Sequence, residues 1–132
     1  PFQALILDFL NLRTARALIS FVYEDKGIPV REIAKLAPIV VSLAHQSKEA
    51  QHIIEEAVTH LATCVNRVRQ RLHLPDDAPL GFSGGLLTQE NALTRGLCQA
   101  LGLPVLPIPC YSPVIGASLL AKQFVLHKDK PT

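Results

Sequence analysis

An unbroken apolar stripe through residues 47–72 constrains the fold of this chain more than any other feature. Ala50, Ile54, Ala57, Val58, Leu61, Ala62, Val65 and Val68 recur at offsets of three and four, joined by Ile53 and Leu72. That period belongs to an α-helix with one buried face. Ser47 stands where an N-cap is needed. Glu55 and Glu56 lie toward the front and Arg67, Arg69 and Arg71 toward the back, the order that suits the helix dipole. A helix of this length spans about 39 Å at ~1.5 Å per residue. The rest of the molecule has to organise itself around this rod.

Ahead of the long helix, the spacing predicts helices over residues 2–10, 11–23 and 37–45. A turn is expected at Gly27-Ile28-Pro29 and a single helical turn over residues 30–35. Behind it, Pro75-Asp76-Asp77-Ala78-Pro79 reads as a loop and the pattern changes. Residues 80–82 read as a buried strand that stops at Ser83-Gly84-Gly85. A helix capped by Thr88 or Asn91 follows, ending at Gly102 as its C′ residue. Residues 105–108 read as a second strand, edge-like or irregular because of Pro107. Ser112-Pro113 opens a last helix, with Ile115, Leu119, Leu120 and Val125 on its apolar face, and a polar tail follows. The expected fold class is therefore α/β, a helix-rich N-terminal half followed by a β-α-β-α unit. Two strands make a poor sheet, so further strands are expected in sequence ahead of Pro1. The chain opens without Met, in the middle of a pattern, and reads as a fragment. An exposed sheet edge would make such a piece dimerise or aggregate.

Composition narrows the function classes. With 48% hydrophobic and 18% charged residues, the 132-residue chain can build a core as one domain or part of one. A net charge of +2 and the lack of an aromatic-interleaved basic strip argue against nucleic acid. No apolar run reaches the roughly 18 residues of a membrane span. Cys64, Cys98 and Cys110 are far apart and odd in number, which points to neither a zinc site nor a disulfide framework. A reducing, cytoplasmic setting follows.

Few residues carry chemistry. Two adjacent glycines at 84 and 85 remove side chains from one spot of backbone, so a ligand can approach the main chain, or the turn can simply be tight. The phosphate loop G-x-x-x-x-G-K-[ST], the dinucleotide fingerprint G-x-G-x-x-G and the nucleophile elbow G-x-S-x-G are all absent. Pro113-Val114-Ile115-Gly116-Ala117 offers small residues early in a helix, for packing or for ligand contact. The five histidines show no metal spacing, and His52 and His60 share a solvated side of the long helix. No paired carboxylates or nucleophile–base pair can be nominated, so no catalytic residue is expected in this chain.

Taken together, "LGFSGGLLTQENALTRGLCQALGL" followed by "VLPIPCYSPVIGASLLAK" resembles a known family. It is similar to the C-terminal lobe of the N-acetylglucosamine kinase and benzoyl-CoA reductase activator ATPase family, within the superfamily of sugar kinases, Hsp70 chaperones and actin. Ile33-Ala34-Lys35-Leu36-Ala37-Pro38-Ile39-Val40 and Lys48-Glu49-Ala50 match the run that precedes the family's long helix. This chain has Ser47-Lys48 where the family usually has Gly-Asp. The resemblance implies an incomplete ribonuclease H-like lobe over residues 1–128, with 129–132 a polar tail. It implies ATP bound by Ser83, Gly84 and Gly85, with Ala37 and Pro38 walling the adenine and Gly116 supporting the base of the site. Mg²⁺, the sugar contacts and the catalytic acid would lie mainly in sequence ahead of Pro1. The expected partners are ATP, a small sugar and a second copy of the protein. The helical region over residues 2–46 favours the kinase branch. The alternatives are an ATPase activator of the benzoyl-CoA reductase or 2-hydroxyacyl-CoA dehydratase type, and a non-catalytic helical interaction module.

Overall fold

A computed structural model of the chain describes residues 2–23 and 33–128. Six α-helices account for the regular structure among these: α1 (Phe2–Phe9), α2 (Ala15–Tyr23), α3 (Ala37–Leu43), α4 (Lys48–Arg71), α5 (Ala92–Ala100) and α6 (Pro113–Lys128). The expected turn at Gly27-Ile28-Pro29 and the polar tail 129–132 lie outside the described residues, as does the first half of the expected helical turn over 30–35; Ile33 and Ala34 are helical.

The long helix starts where its cap predicts. Ser47 is extended (φ −134°, ψ 130°), and its hydroxyl oxygen accepts from the Ala50 N–H at 3.3 Å. The same hydroxyl donates to Glu49 at 2.5 Å, which holds that carboxyl below the usual carboxylate range. At the far end, Arg69 and Arg71 occupy the last turn, where the carbonyl dipoles favour cations. Helix α2 starts later than the apolar pattern suggests. Asn11 sits at φ 54°, outside any helix, and the Thr14 side chain accepts from the Ala17 N–H instead.

The core lies where α3 and α5 pack on α4. One cluster gathers Ala44, Ile54 and Leu93, and a second gathers Ala62, Phe82 and Leu97, with Leu61 and Leu87 touching both. The helices α4 and α5 approach closely at Gly96. A Cβ built there would lie 2.8 Å from Val58 Cγ2, so the glycine is a packing requirement. Gly96→Ala gains about 1 kcal/mol of helix propensity but overpacks the contact by about 1–3 kcal/mol. The expected result is net destabilisation in denaturant unfolding. In a Val58→Ala background the same substitution should become stabilising.

The expected α/β lobe with a β-α-β-α unit is not what forms. No strand or sheet occurs among the described residues, and the ribonuclease H-like reading of this chain is overturned with it. The two segments read as strands, 80–82 and 105–108, do run near each other. The Phe82 N–H donates to the Pro107 carbonyl at 2.7 Å, and a Cβ on Gly81 would lie 3.6 Å from Pro109 Cγ. A ladder stops there because Pro104, Pro107 and Pro109 have no N–H to give. The Ile108 N–H turns back to its own neighbour, the Leu106 carbonyl, at 2.9 Å. Among the described residues there is no sheet, and so none of the expected exposed sheet edge.

Candidate functional site

The stretch from Ser83 to Asn91 is a loop folded tightly onto the start of α5. Gly84 adopts φ 104°, in the region that side-chain-bearing residues avoid, so this glycine is required by the turn itself. Its carbonyl gathers three donors: the N–H groups of Leu87 (3.1 Å) and Thr88 (3.2 Å) and the Thr88 hydroxyl (3.0 Å). Leu86 and Leu87 then turn inward against the core clusters.

Asn91 holds the other end. Its side-chain amide donates to the carbonyls of Leu86 (2.7 Å) and Gln89 (3.1 Å), while its oxygen caps α5 by accepting from the Thr94 N–H at 3.0 Å. Thr94 completes the reciprocal box by accepting from the Asn91 N–H at 2.9 Å, and at 1% exposure it is the most deeply buried polar residue described. The glycine turn is therefore a fixed platform. Of the two caps open in the sequence, Asn91 is the one used.

On that platform Ser83, Gly84 and Gly85 are all exposed, and the N–H groups of Gly84 and Gly85 meet no protein acceptor among the described residues. Gly85 differs from its neighbour. It has no positive φ, and nothing lies within 4 Å of a Cβ built on it. Neither backbone strain nor crowding within the chain explains why this residue lacks a side chain.

The remaining candidates are placed unevenly. Ala37 (half-buried) and Pro38 (exposed) open α3, with the proline in the first turn. Helix α3 reaches the glycine turn through the core, because Val40 and Val41 pack on the same cluster as Leu86 and Leu87. Gly116 sits half-buried in α6, again with nothing within 4 Å of its would-be Cβ. Helix α6 packs extensively on none of the other described helices, so among the described residues Gly116 is not drawn into the group.

Two grooves flank α5. One, of about 630 Å³, runs from Thr88 and Arg95 to the irregular segment at Val105 and Ile108. The other, of about 680 Å³, lies between α4 and α5, with Ile54, Val58 and Gly96 among its lining residues and His45, Glu55 and Gln99 supplying polar groups. Between them Arg95 places a guanidinium nitrogen 2.9 Å from His45 Nε2 and another 3.9 Å from Glu90. Sequence reasoning missed this pairing. Its partners are 50 residues apart, and only the packing of α3 against α5 brings them together. His52 is solvent-exposed and pairs at 3.6 Å with Glu56 one turn on, and His60 is exposed too.

The three cysteines are free. Cys64 and Cys110 are exposed, while Cys98 is half-buried and its thiol is pushed up by desolvation. Among the described residues no group of three His, Cys, Asp or Glu side chains could hold a metal ion. Nor is any described helix long and apolar enough to cross a membrane. Comparison with protein-family models, with curated proteins and with solved structures found no match to this chain.

Proposed function

We propose that this chain is the nucleotide-binding portion of an ATP-dependent sugar kinase similar to the N-acetylglucosamine kinases. Gly84 and Gly85 contact ATP through the backbone, with Ala37 and Pro38 on the adenine side. Mg²⁺, the sugar and the groups that carry phosphoryl transfer belong to protein outside this chain, and the chain alone turns over no ATP. A reducing, cytoplasmic setting goes with this reading.

The observation that carries the proposal is Gly85. A side chain is missing where the chain's own structure has room and no strain, beside two backbone donors without protein acceptors. Space of that kind suits a phosphate or ribose lying against the main chain. The pairing of Ser83-Gly84-Gly85 with the later Pro113-x-x-Gly116-Ala117 motif adds the family resemblance.

Gly85→Val tests it. The substitution should leave the melting temperature near that of the parent chain, because nothing opposes the new side chain. Adenine-nucleotide affinity, read by calorimetry, should fall by at least about tenfold, or roughly 1.4 kcal/mol. Unchanged affinity in a folded Gly85→Val chain would reduce the glycine pair to a turn. A second reading, a non-catalytic helical interaction module, draws on the exposed apolar side chains of α6 and is favoured if no adenine nucleotide binds.

A further inference from the structure

Among the described residues one buried side-chain polar atom has no hydrogen-bond partner, Nε of Arg69 in the last turn of α4. Arg69 forms no ion pair among these residues either. A buried donor without an acceptor costs free energy, and an arginine does not lose its charge to escape that cost. An apolar side chain would fill the same space without it. The guanidinium is therefore poised for a partner from outside the chain.

Arg69 lines two recesses, of about 610 and 630 Å³, that share Asn66 and Asp76. Gln70 and His73 line the first of them, so Asn66, Arg69, Gln70 and His73 bring amide, guanidinium and imidazole groups to one face of the end of α4. His73 stands in the left-handed region (φ 51°) just past the helix, where glycine is usual. Its N–H donates to the Gln70 carbonyl at 3.2 Å, and the Leu74 N–H donates to the Arg69 carbonyl at 2.9 Å. Glycine would hold this turn with less strain, whereas histidine adds a polar ring to the recess. Asp76 and Asp77 stand between Pro75 and Pro79, in a turn closed by the Ala78 N–H on the Pro75 carbonyl at 3.0 Å. That turn places Asp76 on the recess, yet no ion pair joins it to Arg69. The second recess ends on Ala100, Leu101 and Gly102, the carbonyl end of α5.

These charges select the ligand. A phosphate dianion would meet Arg69, but also two carboxylates and the negative ends of two helix dipoles. A simple cation would meet the carboxylates, but also Arg69. A molecule with a carboxylate and an ammonium on one carbon meets each charge with its opposite. Leu74, Leu101 and Pro104 on the same walls give its side chain an apolar surface. We propose that the recess at the end of α4 binds a free aliphatic α-amino acid. Arg69 takes the carboxylate, helped by Asn66, Gln70 and His73, and Asp76 takes the ammonium. The site is separate from the glycine turn and does not depend on nucleotide binding.

Titration of the isotopically labelled full chain with L-leucine tests it. Saturable amide shifts should centre on Asn66, Gln70, His73 and Asp76. Isocaproate, which is leucine without the amine, and isoamylamine, which is leucine without the carboxylate, should each bind at least about tenfold more weakly, because each leaves one charge of the recess unanswered. Arg69→Met removes the unpartnered Nε and should keep the parent's circular dichroism while losing at least about tenfold in leucine affinity. Asp76→Asn, in an exposed turn away from the core, should lose as much and guards against a folding defect in the first variant. His73→Gly should raise the melting temperature and weaken leucine binding together. No saturable shift with leucine, isocaproate or isoamylamine bound as well as leucine, or affinity unchanged in Arg69→Met and Asp76→Asn would each overturn the proposal.

Discussion

Replacing Phe82 by Ala is expected to cost about 3–5 kcal/mol, enough to unfold a large fraction of a chain whose total stability falls in the usual range of roughly 5–15 kcal/mol. The ring is 5% exposed and fills the cluster formed with Ala62 and Leu97. Its position makes it more than a core residue. In a sheet, residues 80–83 would be held by a ladder of backbone bonds. Here one such bond, from the Phe82 N–H to the Pro107 carbonyl, ties this segment to the one facing it. The ring therefore supplies most of what anchors the approach to the glycine turn. Amide exchange from 83 to 90 should accelerate in Phe82→Ala more than exchange within the middle of α4. Phe82→Leu, which keeps most of the volume, should cost less than about 1.5 kcal/mol. Equal exchange rates in parent and Phe82→Ala would mean that the turn is held by something other than the ring.

The second large effect is expected at Leu97. This side chain is 2% exposed and sits on α5 against α4 and Phe82. Leu97→Ala should destabilise by about 2–5 kcal/mol, combining lost transfer energy with the cavity left behind. Because Leu97 and Phe82 belong to one cluster, the two losses should not add. A double variant that loses noticeably less than the sum, by about 0.5–3 kcal/mol, is the mark of contacting residues. Simple additivity in denaturant unfolding would place them in separate parts of the core.

The helical half of this architecture was legible because its signals are redundant. In 47–72 the apolar period, the Ser47 cap and the basic last turn all agree, and the helix forms at Lys48–Arg71. The same holds for Ser112-Pro113, where the serine hydroxyl accepts from the Ile115 N–H at 3.5 Å and the helix opens at Pro113. The strands failed for the opposite reason. An apolar run of three or four residues is equally compatible with a strand and with an extended segment pinned by one side chain. Pro104, Pro107 and Pro109 decide between the two by withholding the donors that a ladder needs. At the candidate site, the glycine pair announced a turn, and the capping box at Asn91 and Thr94 shows how it is built. What the glycines could not announce is their different status. Gly84 is demanded by its φ, whereas Gly85 is free of any demand within the chain, a distinction that depends on backbone angles and neighbouring atoms.

The account turns on whether the Ser83-Gly84-Gly85 turn receives an adenine nucleotide. Amide spectra of the isotopically labelled chain, recorded during titration with ATP and Mg²⁺, address this directly. The account predicts saturable shifts centred on Gly84 and Gly85, extending to Ala37 and weakened by at least about tenfold in Gly85→Val. Spectra that stay unchanged as nucleotide is added, or shifts centred away from the turn and equal in the parent and Gly85→Val, would contradict it.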